Sequence, residues 1–335
     1  SSAVAAYQVQ TGVDTSTFGN GWGAGTWSRG AWNSRATVNV LSENLRLWQH
    51  DTFGEDLIFC IRDGSVFYWD TSGTTAQRGV YLSALTGASN TPTIAKQVMV
   101  SDIDRHVIAF GCNPVGSNVQ DPLLIRFSDQ ENPADWTPST TNTAGDLRIG
   151  SGTAIVQAVE TRQEILVFTD QALHSMQFIG PPYIFGINRV SENITIRSPN
   201  AAVAIGDSVY WMGVDQFYVY RGNVNQLNCT VKEKILTDIN NDQATKIFVG
   251  VNSGFQEIWW FYPSLNSDNI DKYVVYNYEM DIWYYGTLNR TAWIDRGIDD
   301  FPIAAGTDGK LYSHEFGIDD QSGTTPAAVE SFIQS

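Results

Sequence analysis

Residues 164–178, EILVFTDQALHSMQF, decide how the rest of the chain is read. Four apolar residues, Ile165, Leu166, Val167 and Phe168, run into the polar triplet Thr169-Asp170-Gln171. Beyond it Leu173, Ser175 and Gln177 alternate with Ala172, His174, Met176 and Phe178. An apolar run, a turn of hydrogen-bonding side chains and an alternating run together spell a β-hairpin. The frame returns at residues 307–316, TDGKLYSHEF, where Thr-Asp, Leu, Ser and Phe keep their relative places. Self-similarity of this kind fixes architecture before any motif does.

Working outward, the turn with its aromatic second strand recurs at residues 62–70 (RDGSVFYWD) and 214–220 (VDQFYVY). Two further strand pairs, joined by longer loops, occupy residues 106–129 and 257–286. The result is six hairpins roughly 40 to 55 residues apart, the length of one four-stranded propeller blade. The expected fold is therefore all-β, a β-propeller of about six blades with at most short helices. A Gly/Trp-rich N-terminal segment, residues 1–35, precedes a propeller domain over residues 36–335.

Composition agrees with that division. Of 335 residues 42% are hydrophobic and 12% aromatic, and 29 are Gly, which suits short strands and tight turns. The best helix is residues 229–248, with Ile235 and Ile239 on one face. Twenty Lys and Arg against 36 Asp and Glu leave a net charge of −16, which argues against a protein that clamps nucleic acid by neutralising phosphates. Cys60, Cys112 and Cys229 are odd in number and far apart, so they read as three buried thiols rather than disulfides or metal ligands. No signal peptide and no apolar run of about 18 residues is visible, so no membrane span is expected. Ser at position 1 and the tail AAVESFIQS read as the ends of a portion of a longer product.

The N-terminal segment sets Trp22, Trp27 and Trp32 five apart among glycines. It lacks the Gly-Lys-Ser/Thr ending of a phosphate loop. Residues 128–150 form the longest stretch without periodicity and include Trp136. Loops of that length in a compact domain commonly serve function or an interface. Trp22, Trp27, Trp32 and Trp136 are accordingly the expected subunit or partner contacts, as large amphipathic anchors.

Chemistry-bearing residues are dispersed. His50, His106, His174 and His314 fall at different repeat positions, and no metal- or nucleophile-bearing motif contains them. The adjacent carboxylates Asp102 and Asp104, Asp299 and Asp300, and Asp319 and Asp320 are each a possible acid–base pair, but nothing in the sequence raises one above the others. Calcium at Asp268 and Asp271 would lack the glycine of an EF-hand loop. The Asn193, Asn228 and Asn289 sequons carry little weight without a secretory signal. The expectation is a non-enzyme with no catalytic, cofactor-binding or metal-binding residues and no cofactor.

Several stretches taken together carry a resemblance: GWGAGTW, LRLWQHDTFGEDLIFCIRDGSVFYWD, DPLLIRFSDQENPADWTPSTTNTAGDLRIGSG, TRQEILVFTDQALHSMQFIG, WMGVDQFYVYRG and EIWWFYPS. They resemble structural proteins of tailed bacteriophages, in particular the β-propeller nozzle or hub proteins of short tails. The resemblance implies a virion protein of the tail, a homo-oligomeric ring, commonly hexameric, around the DNA path. It implies adaptor and tail-fibre partners, and transient, non-sticking contact with double-stranded DNA during ejection. Two alternatives stand beside it: a carbohydrate-binding or carbohydrate-degrading propeller, and a protein-interaction propeller of cellular origin.

Overall fold

The computed structural model describes residues 13–16, 45–74, 76–317, 319–320, 325 and 327–328. Through these the chain builds six successive antiparallel sheets in sequence order. The first comprises β1 (Trp48–Phe53), β2 (Asp56–Ile61), β3 (Val66–Trp69) and β4 (Val80–Tyr81). The second comprises β5 (Gln97–Val100), β6 (Val107–Phe110), β7 (Leu124–Phe127) and β8 (Gly145–Arg148). The third comprises β9 (Ile155–Glu160), β10 (Ile165–Thr169), β11 (Ala172–Gly180) and β12 (Ile184–Glu192). The fourth comprises β13 (Ala202–Ile205), β14 (Ser208–Met212), β15 (Phe217–Tyr220) and β16 (Val224–Gln226). The fifth comprises β17 (Phe248–Asn252), β18 (Glu257–Tyr262), β19 (Lys272–Asn277) and β20 (Ile282–Thr287). The sixth has three strands, β21 (Arg290–Ile294), β22 (Ile303–Gly306) and β23 (Leu311–Ser313), and the pair β24 (Asp319–Asp320) and β25 (Ala327–Ala328) follows.

Six consecutive meanders of this size define a six-bladed β-propeller. Each hairpin read from the sequence is the second and third strand of one blade, with β10 and β11 pairing from Ile165↔Met176 to Phe168↔Leu173. Among the described residues helix is limited to α1 (Lys232–Asp238) and two 3-10 segments, Leu82–Ala84 and Asn241–Lys246. Ile235 of α1 and Ile239 just beyond it are both buried, as their shared face requires. No helix among the described residues is long and apolar enough to cross a membrane.

Two compact units are distinguished among the described residues. The first takes those up to 196 with 204–213 and 218–225; the second takes 197–203, 214–217 and those from 226 onward. In the first unit β6 shows why apolar runs replace alternation. Its Ile108 and Phe110 join Met99, Phe127, Ile165, Val167, Met176 and Phe185 in one core cluster. Its Val107 and Ala109 join Ile58, Cys60, Val98 and Trp136 in another. A blade packed on both faces must be apolar at every position, and β5, β6, β7 and β10 are buried throughout. In the second unit Phe248, Trp259, Phe261, Ile270 and Val275 form the core cluster. Trp293 lies over Gly250, where an added Cβ would sit 2.6 Å from its ring, and donates its indole N–H to the Val251 carbonyl.

Polar side chains fasten these sheets. The buried Gln97 amide at the start of β5 donates to the Ala158 carbonyl of β9 and accepts from the Ala158 N–H, both at 2.8 Å. Gln97→Ala leaves two buried backbone groups unpaired and is expected to cost about 2–3 kcal/mol, checked by denaturant titration. Aspartates make a recurring clasp, accepting from both the backbone N–H and the hydroxyl of one Ser or Thr. Asp56 does so with Thr71, Asp129 with Thr143, Asp170 with Thr153 and Asp271 with Ser264. Burial pushes the Asp129 and Asp170 carboxyls up, yet hydrogen bonds from Thr143 and Thr153 hold them below the usual range. Part of the acidity of the chain is thus structural.

Two expectations are corrected by this packing. Trp136 is only 1% exposed, so it is no free partner contact. Its indole N–H donates to the Pro133 carbonyl at 2.8 Å, and the buried Arg126 guanidinium lies 5.8 Å from its ring centroid. The loop folds back because Arg126 donates to the carbonyls of Asn90, Asn113 and Trp136, anchoring the turn around the ring. Among the three thiols, Cys60 and Cys112 are buried as expected, whereas Cys229, beside the entry to α1, is only half-buried. Trp22, Trp27 and Trp32 lie outside the described residues.

Candidate functional site

A cluster of four carboxyls lies in the first unit, where Asp51, Asp102, Asp104 and Glu160 converge. Asp51 belongs to β1, Glu160 ends β9, and Asp102 and Asp104 lie in the turn between β5 and β6. Strand ends place them. The Asp51 carboxylate accepts from the Val100 N–H at 2.8 Å and from its neighbour Thr52 at 2.8 Å. Glu160 accepts from the Asp102 N–H at 3.0 Å. Asp104 is buried beside Ser101, and Arg105 takes the left-handed backbone conformation with φ 53° that turns the chain into β6.

Burial raises the pKa of Asp51 and of Asp104. Burial, with repulsion from Asp102, Asp51 and Asp104, pushes Glu160 up to about 7. Among the described residues no ion pair involves any of the four. The nearby Arg105 spends its guanidinium over the Phe53 ring, 5.4 Å from the centroid, and 3.5 Å from Glu131. A carboxyl whose pKa is raised to about 7, set beside the second carboxyl of the exposed Asp102, is the arrangement from which an acid–base pair is built. One of the Glu160 oxygens, however, accepts from the Asp102 backbone amide, which joins the β5–β6 turn to β9.

The other candidates separate. Asp299 and Asp300 are exposed, as is Asp319. Asp271 is taken by Ser264, and no group of three His, Cys, Asp or Glu among the described residues is placed to hold a metal ion. His106 is buried against Phe127, Phe185 and Phe178, with Nε2 3.0 Å from the Thr143 hydroxyl. Burial, and after it Arg290, holds His314 down to about 4, and its Nε2 accepts from the Arg290 Nε–H at 2.9 Å. His50 is exposed. Burial pushes the Cys60 and Cys112 thiols up to about 12 and Cys229 to about 11, far from the thiolate state that reacts.

One pair escaped sequence reasoning. The Ser151 hydroxyl lies 2.8 Å from His174 Nε2, the contact of a serine nucleophile with its base. The surroundings oppose that chemistry. Burial lowers the His174 pKa and the cation facing it across β11 and β12 is Arg189, which disfavours the imidazolium. The Ser151 loop instead caps the β10–β11 turn. At Gly152, with φ 91°, a Cβ would lie 2.7 Å from the Thr169 hydroxyl and from the Asp170 carboxylate. No sequence signal marks this pair, because the residues are brought together by that loop-on-turn packing.

No family model matches the chain, and no curated protein matches it. Similar solved structures include the extracellular domain of a one-component system of B. thetaiotaomicron, with TM-score 0.49 and 10% identity. A second is the extracellular domain described as a hybrid two-component system of the same organism, with TM-score 0.49 and 11% identity. Each alignment covers 85% of this chain and 33% of the other, so the chain spans about a third of those proteins. These neighbours are bacterial extracellular domains and not phage tail proteins, and neither a family model nor a curated relative supports the expected resemblance, which is withdrawn. With it fall the nozzle function, the DNA path, the adaptor and fibre partners and the virion location. The physical reason is visible in the fold. The stretches that carried the resemblance are chiefly strands two and three of successive blades, so they encode propeller packing, which is not specific to one family.

Proposed function

We propose that this chain is a non-enzymatic interaction scaffold, with the ribbon of β11 and β12 as its contact element. One observation carries the reading. β10 ends its pairing with β11 at Ile165↔Met176, while β11 and β12 continue as a two-stranded ribbon to Gly180↔Ile184. On that extension Phe178, Ile179 and Tyr183 are 42%, 56% and 75% exposed. Large apolar side chains gathered on a projecting element suit recognition. By contrast, the carboxyls of Asp51, Asp129, Asp170 and Glu160 and the ring of His106 are engaged by neighbouring strands and loops.

The reading is tested by presenting the protein with a panel of soluble poly- and oligosaccharides and measuring new reducing ends, for wild type and Glu160→Gln. No cleavage by either protein is expected. Cleavage by wild type that is lost in a folded Glu160→Gln variant would make the acidic cluster an active site and overturn the proposal.

A further inference from the structure

Resting on that scaffold reading, we propose that the partner meeting the tip of the β11–β12 ribbon is a neutral lipid surface, into which Phe178, Ile179, Pro181, Pro182 and Tyr183 dip.

The tip has the chemistry of a segment that enters an apolar medium. Residues 178–183 read FIGPPY, and each of them but Gly180 is exposed. From Ser175 to Asn188 there is no charged residue, and the one polar side-chain group at the tip is the Tyr183 hydroxyl. A backbone that enters lipid must satisfy its polar groups internally. Here the two prolines carry no N–H, Gly180 pairs with Ile184, and the Tyr183 carbonyl accepts from the Phe185 N–H at 2.8 Å. Tyrosine suits the boundary itself, with its ring among the acyl chains and its hydroxyl at the headgroups.

The tip is also held in shape. Phe178 packs on Phe185 at 5.7 Å and on His106 at 6.0 Å between ring centroids, and Phe185 is buried against Phe127. Gly186 lies beneath Ile179, where a Cβ would come within 3.2 Å of the Ile179 δ1 carbon. A wedge already held by its neighbours loses little freedom on insertion.

Area and charge favour lipid over a protein partner. So small a tip falls well short of the roughly 800 Å² per partner of a standard protein interface. It also offers a protein almost no hydrogen bonds on which to orient. A bilayer needs neither a matched area nor hydrogen bonds, because each apolar side chain contributes by leaving water. The net charge of −16 opposes approach to anionic headgroups, which leaves a zwitterionic surface as the partner. Arg189, the cation of the ribbon, is already paired with Glu192 at 2.7 Å. Binding through so few side chains is expected to be no tighter than the roughly 10⁴ M⁻¹ of a single myristoyl chain.

Co-sedimentation with phosphatidylcholine vesicles at about 0.1 to 5 mM lipid tests the proposal, beside a lipid-free control. Wild type is expected to pellet with the vesicles. Replacing about a third of the lipid by phosphatidylserine should reduce binding, and added salt should restore it. Ile179→Glu and Tyr183→Glu, each with the circular dichroism of wild type, are expected to weaken binding at least about ten-fold. Val119→Glu, a charge placed on a residue 75% exposed elsewhere in the same unit, should not. A wild type that stays in the supernatant throughout overturns the proposal, as do tip variants that pellet like wild type and binding that rises with phosphatidylserine. Self-association of a wild type that ignores the vesicles, lost in Tyr183→Glu, would give the tip to a second copy instead. Absence of vesicle binding without saccharide cleavage refutes the lipid assignment and leaves the scaffold reading standing; cleavage dependent on Glu160 refutes the scaffold reading itself.

Discussion

Trp136→Ala is expected to lower the stability of the first unit by about 3–5 kcal/mol, the range for removing a fully buried tryptophan. The ring fills the core cluster it shares with Ile58, Val98, Val107 and Leu124. Its loss also strips the Arg126 guanidinium of the aromatic face beside it. Arg126 is buried and hydrogen-bonded only to carbonyls, so a cavity here adds to the cost of keeping a charge away from water. Guanidinium denaturation followed by circular dichroism measures the change. A variant as stable as wild type but weakened in association would return Trp136 to the role of partner contact.

The second large effect is a pH dependence centred on Glu160. Its folded-state pKa is raised from 4.5 to about 7, chiefly by burial. The folded protein thus holds the proton more tightly than the unfolded chain. The contribution to stability is fully present below pH 4.5 and is lost as pH rises through about 7. Asp51 and Asp104, also raised by burial, act in the same direction at lower pH. His106 and His174 oppose it: burial lowers their pKa, so their contribution is present above the ordinary histidine value and is lost as pH falls. Glu160→Gln separates the two. The variant is expected to match wild type near pH 4.5 and to exceed it at pH 8 by about 1–2 kcal/mol, discounted for the part of the carboxyl that water reaches. Thermal unfolding across that pH range checks the sign. A variant less stable than wild type at pH 8 would show that the ionised carboxylate, through its bond from the Asp102 N–H, outweighs its burial.

The hairpins were legible because their signal is local. An unbroken run such as Ile165-Leu166-Val167-Phe168 next to Thr-Asp-Gln states both burial on two faces and the turn. Outer strands were harder. β8, with residues alternately half-buried and exposed, and β12, mostly polar beyond Ile187, carry too little apolar pattern to stand out from loops. The acidic cluster was hidden for a different reason. Of its members only Asp102 and Asp104 are neighbours in sequence, and the groups joining the rest are backbone amides, which leave no trace in side-chain identity. Trp136 misled because an aperiodic loop reads as surface, and nothing in the sequence says that Arg126 is buried beneath it. The phage resemblance failed through the same confusion of levels, since repeated packing patterns speak of a fold and not of a particle.

Hydrogen exchange read by mass spectrometry tests most directly whether the residues that look chemical belong to the scaffold. Peptides from β9, β10 and the first half of β11, which carry Glu160, Thr169 and His174, should be protected as strongly as the core strands β6 and β7. The ribbon tip around Tyr183 should exchange faster. Rapid exchange of β9 and β11 together, while β6 and β7 stay protected, would mark a mobile site around Glu160 and His174 and contradict the structural role assigned to them.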